Sequence, residues 1–476
     1  MLKRLVTFLL LFAFAGLFLC LTSFAQVYVP QEGQIPLKVL QSSEGKPLHE
    51  IRTTPFTVHG YSSIGSLDLD AVKGSHTYKG IGVSLTDASC WWLWEMGAEK
   101  RAAFLKDAFT REGMNLSLIR LNCGASDYAT ELYNYDDVPG DVTMKHFSVE
   151  RDELYMIPVI KEVQALRQDV FTYSAIWSEP GWMKTSGAMC GGALKDEYLQ
   201  AYANYMAAYV RAYKKRGVRI DAMSVHNEPE TDQAGGCPAS IVNAEQEISL
   251  AGKFIPAAFR KAGVADTDIW IWDYDYAGYE RVLKELSDLK VRKNVKAVAW
   301  HPYSGSPAAV REVLAKYPEK EMHLTERGPN LQKKAIQTHK WFADVVFGAL
   351  NNGCSSYSSW NLILDEDGQP VTGKYPCGGL REINSVTGEF SDSKQAELFR
   401  QFCPYVEVGA EILDVDQPDQ GLASIAFRNP DGTHVVVIVA DSDPGRRKFQ
   451  IKYKGQYLGL SLPLDTWSMT TVIIGK

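Results

Sequence analysis

The chain has 476 residues, 45% hydrophobic and 22% charged, with a formal net charge of −7. That length accommodates one large α/β barrel plus an accessory domain, and the composition is that of an ordinary globular protein. The mildly acidic balance gives no electrostatic footing for nucleic acid.

The first 25 residues have the pattern of a cleaved export signal. Lys3 and Arg4 precede an apolar run at 5–21, and Ser23-Phe-Ala25 supplies a small-x-small cleavage site. The run is short for a membrane span, and the bulky Leu19 before Cys20 does not suit lipoprotein processing. No later stretch is suited to crossing a bilayer, so the expectation is a secreted or periplasmic protein without a stable membrane span. No Cys-x-x-Cys pair points to zinc. Cys190 and Cys237 fall in Gly-rich loops after neighbouring strands, which makes them a candidate disulfide in an exported chain.

Residues 26–50 are polar and turn-rich and read as an irregular lead-in. The stretch 51–71 alternates like β-structure but is too short for a domain, so it should join a sheet formed elsewhere. From Tyr78 a strand–loop–helix pattern repeats. Strand-like runs lie at 81–85, 116–121, 170–176, 220–225, 269–273, 297–300, 322–325 and 357–362. Helix-like runs between them include 99–112, 151–167, 197–216, 247–262, 279–286, 308–316 and 334–351. Eight strands alternating with helices predict a parallel (β/α)8 TIM barrel. The helix signal stops near Cys403. Strand-like runs at 421–427, 434–440, 448–453 and 470–474, with turns such as Asn429-Pro-Asp-Gly432, predict an attached β-sandwich. The expected division is therefore a signal at 1–25, a lead-in and N-terminal strands joining the sandwich at 26–77, the barrel at 78–402 and the C-terminal sandwich at 403–476.

Two strand ends carry the chemistry. Met223-Ser-Val-His-Asn-Glu228 ends in a glutamate, and Pro229 then stops regular pairing. Glu321-Met-His-Leu-Thr-Glu326 ends in a second one, with Gly328 and Pro329 starting a loop. Carboxylates at the C-terminal rim of two barrel strands can face each other across the mouth, and a pair flanking one bond is the equipment of glycoside hydrolysis. A non-catalytic carbohydrate-binding protein on the same fold is the rival reading, and loss of either glutamate would have favoured it. The nine histidines show no grouping with acids of the kind a metal-dependent hydrolase needs, so neither a metal nor another cofactor is expected.

Further motifs run in order along the chain. They are Gly80-Ile-Gly-Val-Ser-Leu-Thr-Asp87, Ile119-Arg-Leu-Asn-Cys-Gly-Ala-Ser-Asp127, Tyr135-Asp-Asp-Val-Pro-Gly-Asp141, Trp177-Ser-Glu-Pro-Gly-Trp-Met-Lys184, Asn227-Glu-Pro229, His301-Pro-Tyr303, Thr325-Glu326 and Trp360-Asn-Leu-Ile-Leu-Asp365. With them the chain resembles glycoside hydrolase family 30, the family of lysosomal glucosylceramidase and bacterial β-glucanases and xylanases. The resemblance implies a retaining mechanism, with Glu228 as general acid/base, Glu326 as nucleophile and Arg120 as a donor beside it. It also implies a sugar pocket built from Asp87, Trp177, Asn227 and Trp360, with Tyr303 touching the nucleophile. The implied substrate is a β-linked glucan or glucoside, cleaved by a glucosylceramidase-like enzyme or an endo-β-1,6-glucanase, with a xylanase or β-xylosidase next. The sequence departs from the family pattern at Pro302, at Arg327-Gly-Pro329, at Asp273-Tyr-Asp-Tyr276 and at Ala396-Glu-Leu-Phe-Arg-Gln-Phe402. These differences touch the rim and the leaving-group side.

Overall fold

The computed structural model describes residues 37–43, 46–51, 65–236, 238–328, 339–415, 422–440, 445–464 and 468–475. The barrel strands are β1 (Gly80–Ser84), β2 (Leu118–Asn122), β3 (Phe171–Ala175), β4 (Ala222–Ser224), β5 (Asp268–Asp275), β6 (Val295–His301), β7 (Glu321–Leu324) and β8 (Ser356–Ser359). They pair in parallel in chain order, and β8 returns to β1 to close the ring. Burial on both faces explains why the strands read as short apolar runs rather than strict alternations.

The barrel interior is filled by a size match. Trp270 on β5 is buried among Leu118, Tyr173, Ala222, Ala297 and Ala299 and stacks on His323, with ring centroids 4.3 Å apart. Three alanines on flanking strands leave the volume that one indole occupies, and replacing Trp270 by Ala would open a cavity costing about 3–5 kcal/mol.

β5 also carries the irregularity that shapes the mouth. Ala299 pairs with Trp272, but Trp300 pairs with Tyr274, so Asp273 is an extra residue on β5. Trp272 and Asp273 have φ of 76° and 53°, left-handed values that a regular strand excludes. The bulge changes the phase of the strand. Alternation from Trp270 would send Trp272 inward. Instead Trp272 joins the outer core, under the Arg281 guanidinium, and Asp273 turns into the barrel.

Outer helices follow the expected positions with local breaks. The run expected at 151–167 is a 3₁₀ turn, Glu150–Glu153, followed by the helix Met156–Leu166. Pro158 has no N–H to donate and is tolerated only in a first turn, so the helix starts just ahead of it. The run at 247–262 continues through a π-helical turn, Leu250–Phe254, and then the helix Ile255–Ala262, with Pro256 in its first turn.

Of the lead-in expected at 26–50, residues 26–36 lie outside the described residues, and the remainder needs correction. Residues 37–43 and 46–50 form an antiparallel hairpin, and strand Leu37–Ser43 pairs along its whole length with Ser468–Ile474. These strands belong to a seven-stranded sheet with His434–Ala440, Leu422–Arg428, Glu411–Leu413 and Gly74–Thr77. A three-stranded sheet, Gly65–Asp68 with Gly445–Tyr453 and Gln456–Leu464, completes the β domain. The polar hairpin hides its role because Lys46–Glu50 is an exposed edge strand, and edges are kept polar against further pairing.

Candidate active site

The catalytic rim is assembled around a buried arginine. Arg120, on β2, donates from Nη1 to Glu326 Oε2 at 2.5 Å and from Nη2 to Asn227 Oδ1 at 2.7 Å and Asp273 Oδ2 at 2.8 Å. It is fully buried, so its charge is tolerated only because two carboxylates compensate it. Trp177 and Trp360 stack with centroids 5.2 Å apart, and the Arg120 Cζ lies 4.6 Å from the Trp177 ring centre. Asp273 reaches this cluster because of the bulge. Burial alone would raise its pKa, but Arg120 and the hydrogen bond from His301 hold it well below the usual carboxylate range.

Glu326 follows the end of β7 and is nearly buried, at 7% exposure. Its second oxygen accepts from Tyr303 OH at 2.8 Å. Tyr303 is itself positioned by Asp275, which accepts from the Tyr303 backbone N–H at 3.0 Å and from Ser304 Oγ at 2.8 Å. Gly328 lets the chain after Glu326 pass under Trp360, since a Cβ there would lie 2.9 Å from Trp360 Cβ. Arg120 and Tyr303 thus donate to both Glu326 oxygens.

Glu228 is held differently. Its backbone sits in the left-handed region, φ 50°, a conformation costing about 1–3 kcal/mol for such a residue and found where the surroundings over-determine it. Its own N–H donates to Asp273 O at 3.0 Å, and the Asn227 N–H donates to Ile176 O at 2.8 Å. The side-chain Oε1 lies 3.1 Å from His301 Nδ1. Burial pushes the Glu228 pKa up, and the His301 hydrogen bond offsets that only in part.

His301 links the two sides, with Nε2 3.2 Å from Asp273 Oδ1. Burial pulls its pKa down, but the surrounding Glu326, Asp273 and Glu228 carboxyls overcome this and push it up to about 10. One oxygen each of Glu228 and Glu326 and a ring nitrogen of His301 lie within 4.8 Å of one another, the one such grouping among the described residues. Arg120 already supplies positive charge at Glu326, and His301 is already engaged by Glu228 and Asp273 through its two ring nitrogens. The group therefore suits a neutral substrate between two carboxyls better than a metal ion.

These side chains open onto a cavity of about 330 Å³, walled by Trp177, Trp360, Tyr274 and Tyr303, with Asn227, Glu228 and Glu326 on its floor side and Asp127, Thr231, Gln233, Asp275, Arg327, Gly328, Tyr375 and Cys377 completing it. Six of the predicted site residues, Glu228, Glu326, Trp177, Asn227, Tyr303 and Trp360, line it, and Arg120 lies directly behind Glu326.

Asp87, expected in the sugar pocket, does not line the cavity. Thr86 caps the helix Asp87–Glu95, and Asp87 is fully buried in its first turn. Its oxygens accept from Arg151 Nη1 at 2.6 Å, Tyr155 OH at 2.8 Å, and Thr130 N and Oγ1 at 2.8 and 3.0 Å. That set leaves nothing for a sugar hydroxyl. The aspartate on the cavity wall is Asp127, whose Oδ1 is buried without a partner. Burial, then the charges of Glu326 and Glu228, raise its pKa well above the ordinary value. The loop after β8 packs on it closely: Thr372 and Gly373 donate to its carbonyl at 2.7 and 3.0 Å, and a Cβ on Gly373 would lie 2.5 Å from Asp127 Cβ.

The sequence alone assigns no role to Asp127, Asp273, Asp275 or His301. Asp127 and His301 fall inside the motifs Ile119–Asp127 and His301–Tyr303, and Asp273 and Asp275 inside a departure from the family pattern.

Cys190 is disulfide-bonded, and the adjacent Gly191 N–H donates to Gly236 O at 3.2 Å. Cys237, the expected partner, lies outside the described residues. Cys90, Cys123, Cys354, Cys377 and Cys403 are free thiols.

Two carboxyls so closely spaced at the C-terminal mouth of a parallel barrel, between indole walls, define a glycoside hydrolase. Known families give the narrower answer. The profile described as glycosyl hydrolase family 30 TIM-barrel domain matches residues 78–374, and that of the family's beta sandwich domain matches residues 409–472. The chain belongs to glycosyl hydrolase family 30. It is 28% identical over 402 residues to the endo-1,6-beta-D-glucanase of Neurospora crassa, covering 80% of this chain and 82% of that protein. It is 24% identical over 397 residues to the lysosomal acid glucosylceramidase of Mus musculus, covering 78% and 76%. Among solved structures, the endo-beta1,6-glucanase BT3312 superposes with a TM-score of 0.81 at 24% identity, covering 92% of this chain and 99% of that one. SrfJ from Salmonella typhimurium does so with 0.84 at 23% identity and the same coverage. At these identities the structural likeness speaks for the fold. No helix among the described residues is long and apolar enough to cross a membrane.

Proposed function

We propose that this glycoside hydrolase is an exported, retaining β-glucanase that cleaves β-1,6-linked glucan by double displacement. The observation that carries the reading is the pair Glu228 and Glu326, within 4.8 Å through one oxygen each. That spacing supports direct attack rather than the roughly 6.5–9.5 Å that an intervening water requires. In the first step Glu326 attacks the anomeric carbon, the glycosidic C–O bond breaks, and Glu228 gives its proton to the leaving oxygen. In the second, Glu228 takes a proton from water, whose oxygen displaces Glu326 from the same carbon, so two inversions give retention. The contrast in environment supports the assignment of roles. Arg120 and Tyr303 both donate to Glu326, which suits a nucleophile. Burial that raises the Glu228 pKa suits an acid. Asp127, Asn227 and the two indoles are the groups we assign to holding the sugar.

The β-1,6 linkage rests on the fungal relatives named for that activity. Export rests on the sequence pattern of residues 1–25 and on the disulfide at Cys190, a bond characteristic of oxidising compartments. Azide rescue tests the roles. With an activated aryl β-glucoside, the Glu228→Ala variant should regain turnover in azide and release the β-glucosyl azide, and Glu326→Ala should release the α-anomer. The α-azide from Glu228→Ala would mean the roles are reversed. A panel of pustulan, laminarin, xylan and glucosylceramide tests the substrate, and slower release from pustulan than from the others would refute the linkage.

A further inference from the structure

A second hollow lies on the same rim, apart from the catalytic cavity. It has a volume of about 280 Å³ and is formed by the loops after β2 and β3, with Leu132, Tyr133, Asn134, Asp137, Trp182 and Met189 prominent in its wall. A pair of loops separates it from the catalytic cavity. Met189 accepts from the Ala239 N–H at 3.2 Å, and that second loop begins with Thr231 and Gln233, which line the catalytic side.

The wall chemistry is selective. It contains no basic residue, and Asp137 is its one charged group, which argues against a phosphate, a carboxylate or any other anion. Trp182 is fixed. Its indole N–H donates to Asp136 O at 2.9 Å, and its ring meets Tyr198 edge-on at 5.1 Å and 88°. With its N–H already taken, the indole offers the hollow only apolar surface. The polar groups stand close by: Asn134 donates to one oxygen of Asp137 at 2.5 Å, and Asp137 is solvent-exposed. Leu132, in the wall, is 42% exposed and adds apolar surface beside the indole. A rigid aromatic plate beside a carboxylate and an amide suits an uncharged ligand with one C–H face and several hydroxyls, and the volume is near the roughly 300 Å³ lower bound of small-ligand sites.

We infer that this hollow is a second saccharide-binding site, which holds a sugar unit of the polymeric substrate away from the bond being cleaved. The inference builds on the glucan reading above, but binding can be read without turnover. The first experiment is affinity electrophoresis of the full chain carrying Glu326→Gln, with and without Trp182→Ala, in gels containing pustulan, laminarin or xylan. Trp182→Ala should weaken retention on the retained polysaccharide by roughly fivefold, the size expected for one aromatic contact. In the active enzyme it should raise KM for that polymer while leaving kcat/KM for an aryl β-glucoside within about twofold. Leu132→Ser combined with Asp137→Ala provides a surface variant that cannot disturb the packing of Trp182 on Tyr198, and it should give the same split. Unchanged retention in both variants, or equal losses on polymer and aryl glucoside in the surface variant, would overturn the proposal. So would failure of the Glu326→Gln protein to bind any of the polysaccharides. If retention falls as expected but on xylan or laminarin, the second site stands and the β-1,6 assignment falls.

Discussion

Two pairs of carboxyls at the barrel mouth meet burial in opposite ways. Glu326 and Asp273 share Arg120, and Tyr303 and His301 complete their donors. Glu228 and Asp127 are enclosed with less: one contact from His301 for Glu228, and an orphaned Oδ1 for Asp127. Burial costs a carboxylate its hydration in both places. At Asp273, Arg120 and His301 outweigh burial and favour the charged form; at Glu228 and Asp127 burial outweighs the donors and raises the pKa. What the barrel puts behind each glutamate is what supports the proposed division of roles.

That contrast can be broken most severely at Glu326. Its replacement by Ala should reduce kcat on every substrate by on the order of 10⁵-fold, measured by release of aryl alcohol from an activated β-glucoside. Glu228→Gln should cost about 10²–10⁴-fold on substrates with poor leaving groups and much less for formation of the glycosyl-enzyme from an activated aryl glycoside. Equal losses on both leaving groups would remove its role as acid. Asp127→Ala should raise the barrier by the roughly 1–3 kcal/mol of a lost buried hydrogen bond, visible in kcat/KM. Asp127→Asn, which mimics the protonated carboxyl, should cost less, and the reverse order would place a charged Asp127 in the site.

A finer probe is pH. Activity that needs the Glu228 proton falls as pH rises through its pKa, which burial raises and His301 lowers. His301→Gln removes a cation that favours the Glu228 carboxylate. The alkaline limb of kcat/KM should therefore move to higher pH, and a move to lower pH would contradict the linkage. The smallest catalytic effect should come from Asp87→Ala. Breaking this buried pair with Arg151 should destabilise the fold by about 3–5 kcal/mol, read from urea unfolding, with KM for an aryl glucoside nearly unchanged.

The Asp87 result marks where sequence reading ran out. The eight strands were legible because parallel strands buried on both faces leave apolar runs of recognisable length, and the two glutamates were legible because each ends such a run. Asp87 and Asp127 both come shortly after barrel strands at the rim, and nothing in the local sequence separates them. Their roles diverge because Arg151, from a distant turn, reaches one and not the other. Asp273 was hidden for a different reason. A bulge is a mismatch between neighbouring strands, so it has no signature in the strand that carries it. The hairpin at 37–50 was read as irregular because its partner strand lies more than 400 residues later, beyond any local pattern.

That last pairing has a consequence for how the chain can be rewired. Leu37 and Ile474 face each other in register, so the two ends of the described chain are neighbours, about 5 Å apart as antiparallel partners. A circular permutant that joins them through a short linker and opens the chain at the Asn429–Gly432 turn would keep every strand partner of the seven-stranded sheet. Such a protein should fold and hydrolyse its substrate at the parental rate, because strands Leu37–Ser43 and Ser468–Ile474 bond to one another and neither lines the cavity.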